Sequence, residues 1–392
     1  MTKMVLSGNS AQAHAARLAR VQVVSAYPIT PQTTIVEKIA DFVATGKLQA
    51  QYIQVESEHS ALQVVVSASG LGARTYTATS SHGLLLMHEL VHWASGARNP
   101  IVMGVINRAV GPPWNIGADH TDTMSQRDTG WIQFYAESNQ EVLDTVLMAF
   151  RLAEHPEVRL PVMVTEDAFY LSHTSETVEV PDQEVVDRFL PPREPHAVIV
   201  PGTASRLGSF TGPDRYVDFR RESAKAMERA PAILSIVEEE YRSATGRSHG
   251  GALPTYRTDD ADAVLLTMGT SSTTARGVVD EMRAEGKKVG LAKLRLFRPF
   301  PNEEVRALGA VVDRIGVADR SYTFGPMGAA ATEVSAALYP SSHHPSVTGF
   351  YAGVGGRDVT PHVVRRMYDT LLRGEVPEVH WEDIEEEVLV DG

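Results

Sequence analysis

The chain has 392 residues, 43% of them hydrophobic and 22% charged, ordinary globular usage that excludes collagen-like, low-complexity and disordered architectures. Its 36 Lys and Arg against 49 Asp and Glu leave a net charge of −13, which repels polyanions and excludes a basic groove for nucleic acid or an anionic membrane. Cysteine is absent, so disulfides, thiolate zinc sites, a cysteine nucleophile and any cysteine-ligated iron–sulfur cluster on this chain are excluded. At about 100–200 residues per domain, the length predicts two to three domains. Met1 to Ala19 lacks an apolar signal-type core and no run of 18 apolar residues occurs, so a cytoplasmic protein is expected.

From Met1 to about Glu166, short β-branched or aliphatic runs alternate with helical patterns, the signature of βαβ units on a parallel sheet. Strands are predicted over 21–26, 52–55, 75–79, 101–105 and 162–165, with helices over 32–44, 58–69, 84–97 and 140–154 between them. From about Asp167 to Tyr256 the rhythm breaks. Prolines at 181, 191, 192, 195, 201 and 213 mark an irregular connection, and 214–244 reads as one long, charged, surface helix. The stretch GRSHGGALP supports a boundary near 250, giving domains 1–250 and 251–392. Beyond it the alternation resumes, with strands predicted over 263–268, 289–296, 314–318 and 347–351 and helices over 273–285, 302–308, 327–338 and 361–372. The acidic tail from Glu375 reads as a solvated end, with docking to a partner subunit as the alternative.

His88-Glu89-Leu90-Val91-His92 is a literal H-E-x-x-H in a helical pattern, able in principle to hold zinc with Glu89 as base. Ser95 and Arg98 stand where the longer metzincin form continues with glycine and histidine, so packing histidines are the expected outcome and no metal site is assigned. No phosphate-cradling loop occurs, since neither G-x-x-x-x-G-K-[ST] nor G-x-G-x-x-G is present and Gly353–Gly356 has the wrong spacing. Absence of G-x-S-x-G removes the usual α/β-hydrolase entry point. What remains lies just past predicted strand ends, where open α/β sheets build their sites. Tyr27-Pro28-Ile29-Thr30-Pro31 is a proline-stiffened loop with one hydroxyl, Glu58 opens a helix, and Arg108 follows Asn107 as a possible forked clamp for a carboxylate.

The runs SAYPITPQT, VESEHSA, TSSHGLLLMHE and NRAVGPPWNIGADHTDTMSQRDTGWIQF, with TMGTSS, VGLAKLRLFRPFP and FYAGVGGRDVT farther along, resemble the alpha subunit of the thiamine-diphosphate-dependent 2-oxoacid:acceptor oxidoreductases, the pyruvate:ferredoxin oxidoreductase family. The resemblance covers nearly the whole chain. It implies an α/β pyrimidine-binding domain, a parallel sheet flanked by helices, followed by a smaller transketolase-C-like α/β domain. It also implies a beta subunit that carries the diphosphate and Mg²⁺ site, in keeping with the lack of a G-D-G here, and gamma and delta-type subunits that carry iron–sulfur clusters. The implied reaction is oxidative decarboxylation of a 2-oxoacid to acyl-coenzyme A and CO2, with electrons leaving to ferredoxin or another acceptor.

By the same resemblance, Glu58 hydrogen-bonds the aminopyrimidine ring of thiamine diphosphate, Arg108 clamps the substrate carboxylate, Thr30 bonds a substrate oxygen, and Tyr27 and Pro28 belong to the pocket wall, Pro28 on the cofactor side. Two departures from the family's pyruvate enzymes bear on substrate. His82 stands within Ser81-His82-Gly83 where Ser-Gln-Gly is common, and Gly117-Ala118 replaces bulkier residues. Room for an aromatic 2-oxoacid such as phenylglyoxylate is therefore weighed equally with pyruvate or a short aliphatic one, a contact with a partner subunit being the other use of these positions. A zinc peptidase and a non-catalytic scaffold are the competing readings of the chain.

Overall fold

The computed structural model describes residues 1–195, 202, 208–374, 378–382 and 384. Most of the acidic tail, and Pro201 of the irregular connection, lie outside the described residues. Fifteen strands are present among the described residues: β1 (Thr2–Ser7), β2 (Val23–Ala26), β3 (Gln51–Gln54), β4 (Thr75–Thr79), β5 (Val102–Asn107), β6 (Ile132–Tyr135), β7 (Val162–Asp167), β8 (Ser175–Val180), β9 (Thr255–Tyr256), β10 (Ala263–Thr267), β11 (Val289–Lys293), β12 (Leu296–Arg298), β13 (Arg314–Asp319), β14 (Ser346–Tyr351) and β15 (Val379–Trp381).

They form two large sheets and one small one. The first runs β12-β6-β7-β5-β4-β2-β3 and is parallel except for β12, which lies antiparallel on β6. The second runs β15-β14-β13-β10-β11-β9 and is parallel except for the short edge strand β9. β1 and β8 make a separate antiparallel pair. Helices cover both faces of each large sheet, which explains why β5 (VMGVIN) is buried at every position rather than alternating. One face of the first sheet packs Ala61, Leu62, Val65, Leu84 and Trp131. The other carries a larger core that includes Ile35, Phe150 and Tyr241.

Helix Glu58–Gly70 starts where Ser57, in extended conformation, accepts a hydrogen bond from the Ser60 N–H at 3.2 Å. The single helix expected over 84–97 is two, Ser81–Leu86 and His88–Gly96, that meet at Met87. The long helix is Pro213–Thr245, opened by proline at its first turn and closed by Gly246 at φ 75°. Its expected surface character holds only for its first half. Ala226, Ala230, Ile233, Leu234, Val237 and Tyr241 are buried against the first sheet's helix layer, an apolar stripe diluted in sequence by the many charges between them. The supposedly irregular connection also contains β8 and the helix Gln183–Phe189.

The strand expected over 289–296 ends at Lys293. The chain then crosses between sheets, and Leu296–Arg298 pairs with β6 of the first sheet. Buried Lys293 and Arg295 stabilise that crossing by pairing with Glu141 of helix Asn139–Glu154, Lys293 at 2.5 Å and Arg295 at 2.7 Å, while Arg295 also holds Glu238 of the long helix. β6 itself is four residues long and follows only the one-turn helix Thr121–Met124, so its existence depends on the neighbours that pair with it rather than on local pattern.

Candidate active site

The C-terminal ends of β5, β4, β2 and β3 lie side by side in the first sheet, and the segments that leave them carry the candidate residues, Glu58 opening the helix after β3. After β2, the Tyr27–Pro31 loop is pinned from below by Asn9, whose side-chain amide donates to the Pro31 carbonyl and to Thr34 Oγ1, both at 2.7 Å. Tyr27, Pro28 and Thr30 are exposed on it. After β4, Ser80 Oγ donates to the Ile106 carbonyl at 2.7 Å, and Ser81 sits at φ 47° with its Oγ donating to the Ala109 carbonyl at 2.5 Å. After β5 comes Arg108.

Arg108 is 4% exposed. One guanidinium nitrogen, Nη1, donates to the Thr30 carbonyl at 2.7 Å, so the structure brings the clamp candidate and the Thr30 loop together. Its Nε is buried without a partner, and no carboxylate of a described residue forms an ion pair with it. Burial pulls the Arg108 pKa down from its ordinary value while nearby Asp122 opposes that shift, and a guanidinium remains charged at neutral pH. A buried cation with a spare N–H donor and no ion-pair partner on its guanidinium is suited to receive an anion. The Trp114 ring lies 5.6 Å from the guanidinium carbon, an exposed indole over a buried cation.

Glu58 is 7% exposed, and no donor among the described residues hydrogen-bonds its carboxyl group. Gly83 makes this possible. A Cβ there would lie 2.7 Å from Glu58 Oε1 and 2.5 Å from Thr79 Oγ1, so only glycine leaves the carboxyl free beside the end of β4. His82 next to it accepts a hydrogen bond at Nε2 from the Gly111 N–H at 3.0 Å, tying the start of helix Ser81–Leu86 to the loop after Arg108.

Two residues of this region were not singled out in the sequence. Trp114, between a proline pair and Asn115, carried no signal of its own. Asp122 is fully buried and accepts from four groups, and its only hint was the density of acidic and hydroxyl residues in DHTDT. The loop between Arg108 and Asp122 is latched to the second sheet. Asn115 Nδ2 donates to the Gly355 carbonyl at 2.8 Å, the Gly355 N–H donates to Asp119 Oδ2 at 3.0 Å, and the His120 N–H donates to the Arg320 carbonyl at 2.8 Å.

Gly117 is part of that latch. A Cβ on Gly117 would lie 2.3 Å from the Gly355 carbonyl oxygen, so its smallness serves close approach of two backbones. That corrects the expectation of extra room for a bulky substrate. Ala118 is buried in the core of the first sheet. Gly353-Val354-Gly355-Gly356, which lacked a nucleotide-loop spacing, is the other half of the same contact.

The H-E-x-x-H residues do not converge on a metal. His88 Nδ1 contacts Gln126 Oε1 at 2.7 Å, the His88 and His92 rings meet edge to face at 4.9 Å, and Glu89 is exposed beside His59 at 3.7 Å. Among the described residues no group of three or more potential ligands is arranged to hold a metal ion. No described helix is long and apolar enough to cross a membrane.

Comparison with known proteins agrees with this geometry. Residues 14–239 match the family described as pyruvate flavodoxin/ferredoxin oxidoreductase, thiamine diphosphate-binding, which makes the first sheet and its helices a thiamine-diphosphate-binding domain. Residues 261–364 match pyruvate:ferredoxin oxidoreductase core domain II. The chain belongs to the 2-oxoacid:ferredoxin oxidoreductases as a subunit of their alpha type. It is 50% identical over 372 residues to ketoisovalerate oxidoreductase subunit VorA of Pyrococcus furiosus, covering 95% of this chain and 94% of that one. It is 46% identical to pyruvate synthase subunit PorA of Methanothermobacter thermautotrophicus, covering 99% and 100%. Among solved structures, 2-oxoglutarate:ferredoxin oxidoreductase from Magnetococcus marinus aligns with a TM-score of 0.72 over 94% of this chain and 65% of that longer one, at 20% identity, a likeness of fold.

Proposed function

We propose that this chain supplies the substrate-carboxylate clamp and the pyrimidine-side carboxyl of an active site that converts a short aliphatic 2-oxoacid, coenzyme A and an oxidised acceptor to acyl-coenzyme A, CO2 and the reduced acceptor. The observation that carries this reading is Arg108, a buried guanidinium with an unspent donor and no carboxylate of a described residue ion-paired to it. A 2-oxoacid is small and anionic, and its carboxylate matches that vacancy in charge. The preference for an aliphatic substrate over phenylglyoxylate rests on Gly117, whose missing side chain is used by the Gly355–Gly356 backbone and leaves no extra room, and on relatives named for ketoisovalerate and pyruvate.

The residues present fit thiamine diphosphate, because Glu58 is a nearly buried carboxyl whose hydrogen-bonding capacity is unspent and whose freedom depends on the glycine at 83. When bound, that cofactor supplies the nucleophilic carbon and the electron sink that decarboxylation needs. Glu58 would hold a ring nitrogen of the pyrimidine and could give it or take from it a proton. Arg108 binds and orients the substrate carboxylate, the Thr30 hydroxyl bonds a substrate oxygen, and Tyr27 and Pro28 shape the wall and exclude water. The site is completed by a beta subunit with the diphosphate and Mg²⁺. Gamma and delta-type subunits hold the iron–sulfur clusters, for which a chain with no cysteine has no ligands. Such a complex is cytoplasmic and passes its electrons to ferredoxin or another acceptor. Residues 1–250 and 251–392 are its two domains, a boundary between the two stretches that match family descriptions.

The test is to purify the native complex through a tag on this chain and to assay viologen reduction with coenzyme A against pyruvate, ketoisovalerate, 2-oxoglutarate and phenylglyoxylate. Activity with pyruvate or ketoisovalerate is expected. Activity confined to phenylglyoxylate overturns the substrate class, and silence across the panel with this chain alone in the eluate overturns the catalytic reading.

A further inference from the structure

We propose that Asp122 is a positioning residue for the substrate clamp, a fully buried carboxylate that fixes the ends of β4 and β5 relative to each other and thereby sets where Arg108 presents its guanidinium. The proposal rests on the reading of Arg108 as the carboxylate clamp.

Asp122 lies in the short helix Thr121–Met124, fourteen residues beyond Arg108, and is 0% exposed. Oδ1 accepts from Asn107 Nδ2 at 2.8 Å and from the Thr123 N–H at 2.7 Å. Oδ2 accepts from the Ser81 N–H at 3.0 Å and from the Arg108 N–H at 3.1 Å. Three of those four donors belong to the strand-end loops of the site, one after β4 and two at the end of β5. The two Oδ2 donors are backbone groups that point at one oxygen from neighbouring strands, while Oδ1 takes two further N–H groups, and a neutral side chain of the same shape cannot accept at both positions. An asparagine would offer one carbonyl oxygen and one amino group, and whichever way it turned, an N–H would face N–H donors.

The anchored Ser81 explains the importance of this spot. Ser81 holds φ 47°, a conformation costly for a residue with a Cβ, and its Oγ donates to the Ala109 carbonyl, which directly follows Arg108. Two residues on, Gly83 abuts Glu58. Asp122 therefore ties the turn that leaves room for the Glu58 carboxyl to the backbone that carries Arg108. Asp122 bonds the Arg108 backbone N–H and not its guanidinium, so besides its electrostatic support of the cation it acts on the clamp through backbone placement and leaves the guanidinium donors for substrate. Burial raises the Asp122 pKa to about 6 even though its four hydrogen bonds oppose the shift, so the carboxylate is kept in an unfavourable location for an anion.

The experiment uses the assembled, tag-purified complex and measures steady-state constants for the 2-oxoacid and for coenzyme A in wild type, Asp122→Asn, Arg108→Ala and the double variant. Asp122→Asn is expected to raise the 2-oxoacid KM about tenfold or more, with the coenzyme A KM unchanged and the complex assembled. In the Arg108→Ala background the same change is expected to add less than about twofold, because a residue that acts through Arg108 has nothing left to position. Full additivity of the two substitutions overturns the proposal, as does an unchanged 2-oxoacid KM in Asp122→Asn while Arg108→Ala raises it. If Arg108→Ala itself leaves the KM unchanged, the clamp reading fails and this proposal fails with it, a result distinguishable from the previous two. Asn107→Ala, which removes one donor to Oδ1 and leaves Asp122 in place, keeps the test decisive if Asp122→Asn does not assemble. It is expected to raise the 2-oxoacid KM about twofold to fivefold, and to do so only where Arg108 is present. An equal rise in its absence counts against the proposal.

Discussion

Arg108 and Arg295 are both buried arginines, at 4% and 0% exposure, yet their surroundings are opposite. Arg295 has a partner at every guanidinium nitrogen. Its Nε bonds Glu141, its Nη1 bonds Glu238 and the Gly251 carbonyl, and its Nη2 bonds Thr145. Arg108 spends one N–H on a backbone carbonyl and leaves Nε bare. Burying a guanidinium is costly, and the crossing between the two sheets offsets that cost with two directly paired carboxylates, whereas at the strand ends no carboxylate pairs with the guanidinium and only the Thr30 carbonyl and the field of Asp122 offset it. Equal burial therefore marks two different roles, and the unspent hydrogen-bonding capacity distinguishes a binding group from a structural tie.

Glu58→Ala probes the site side most severely. It is expected to abolish dye reduction by the assembled complex by several orders of magnitude with the complex intact on gel filtration, and near-normal turnover would falsify the role assigned to Glu58. Next in size, Arg295→Met leaves Glu238 without its cation and Glu141 with Lys293 alone, and a loss of about 3–5 kcal/mol is expected from breaking such a network. A chemical-unfolding curve measures it, and a midpoint equal to wild type would mean that the crossing is held by packing alone. Arg108→Ala should show the reverse profile. Loss of a buried, hydrogen-bonded charge pair with substrate costs about 2–5 kcal/mol in 2-oxoacid recognition, read as a fall in kcat/KM, while the unfolding midpoint holds or rises because an unpaired buried charge is gone.

A smaller effect is expected at the latch between the domains. Gly117→Ala places a Cβ 2.3 Å from the Gly355 carbonyl oxygen, and relieving such overpacking costs about 1–3 kcal/mol. The substrate range should stay as it is. A variant of wild-type stability that rejects larger 2-oxoacids would return Gly117 to the pocket wall.

The two regions also respond to acid with opposite sign. Burial works to raise the Glu141 pKa, but Lys293 and Arg295 overcome it and bring it down to about 2. A carboxyl depressed on folding contributes stability above its unfolded pKa near 4.5 that is lost as pH falls toward 2. Asp122, pushed up to about 6 by burial, disfavours the folded state at neutral pH, and that cost is relieved as pH falls through 6 toward its unfolded value. Comparing unfolding midpoints across pH in wild type and Glu141→Gln separates them. The variant should lose the steep decline below pH 4.5, and an unchanged decline would assign acid sensitivity elsewhere, such as to Asp167, which His120 and Arg320 hold well below the usual carboxylate range against the effect of burial.

Much of this molecule is written in local pattern. The βαβ rhythm, the zero cysteine count and the placement of Tyr27–Pro31, Glu58 and Arg108 past strand ends follow from periodicity and composition, because a parallel sheet buried on both faces leaves only its C-terminal edge for polar groups. The specific runs from SAYPITPQT to FYAGVGGRDVT carried the family, and the family matches over residues 14–239 and 261–364 agree. Local pattern could not reveal β6 or β12, short segments that become strands through pairing, β6 with β7 and β12 with β6, nor the buried half of the long helix, whose apolar stripe is diluted by surface charge.

The sequence by itself determined the residue types and their periodicity, and through them the fold class, the positions where a site could form and the chemistry those positions could offer. Which of its arginines is paired and which is free, why Gly117 is small, and that Asp122 joins two strand ends were decided by tertiary structure alone. Those properties depend on what lies across a contact between residues far apart in the chain, such as the 154 positions that separate Glu141 from Arg295, and a linear pattern holds no record of which distant groups a buried charge will meet.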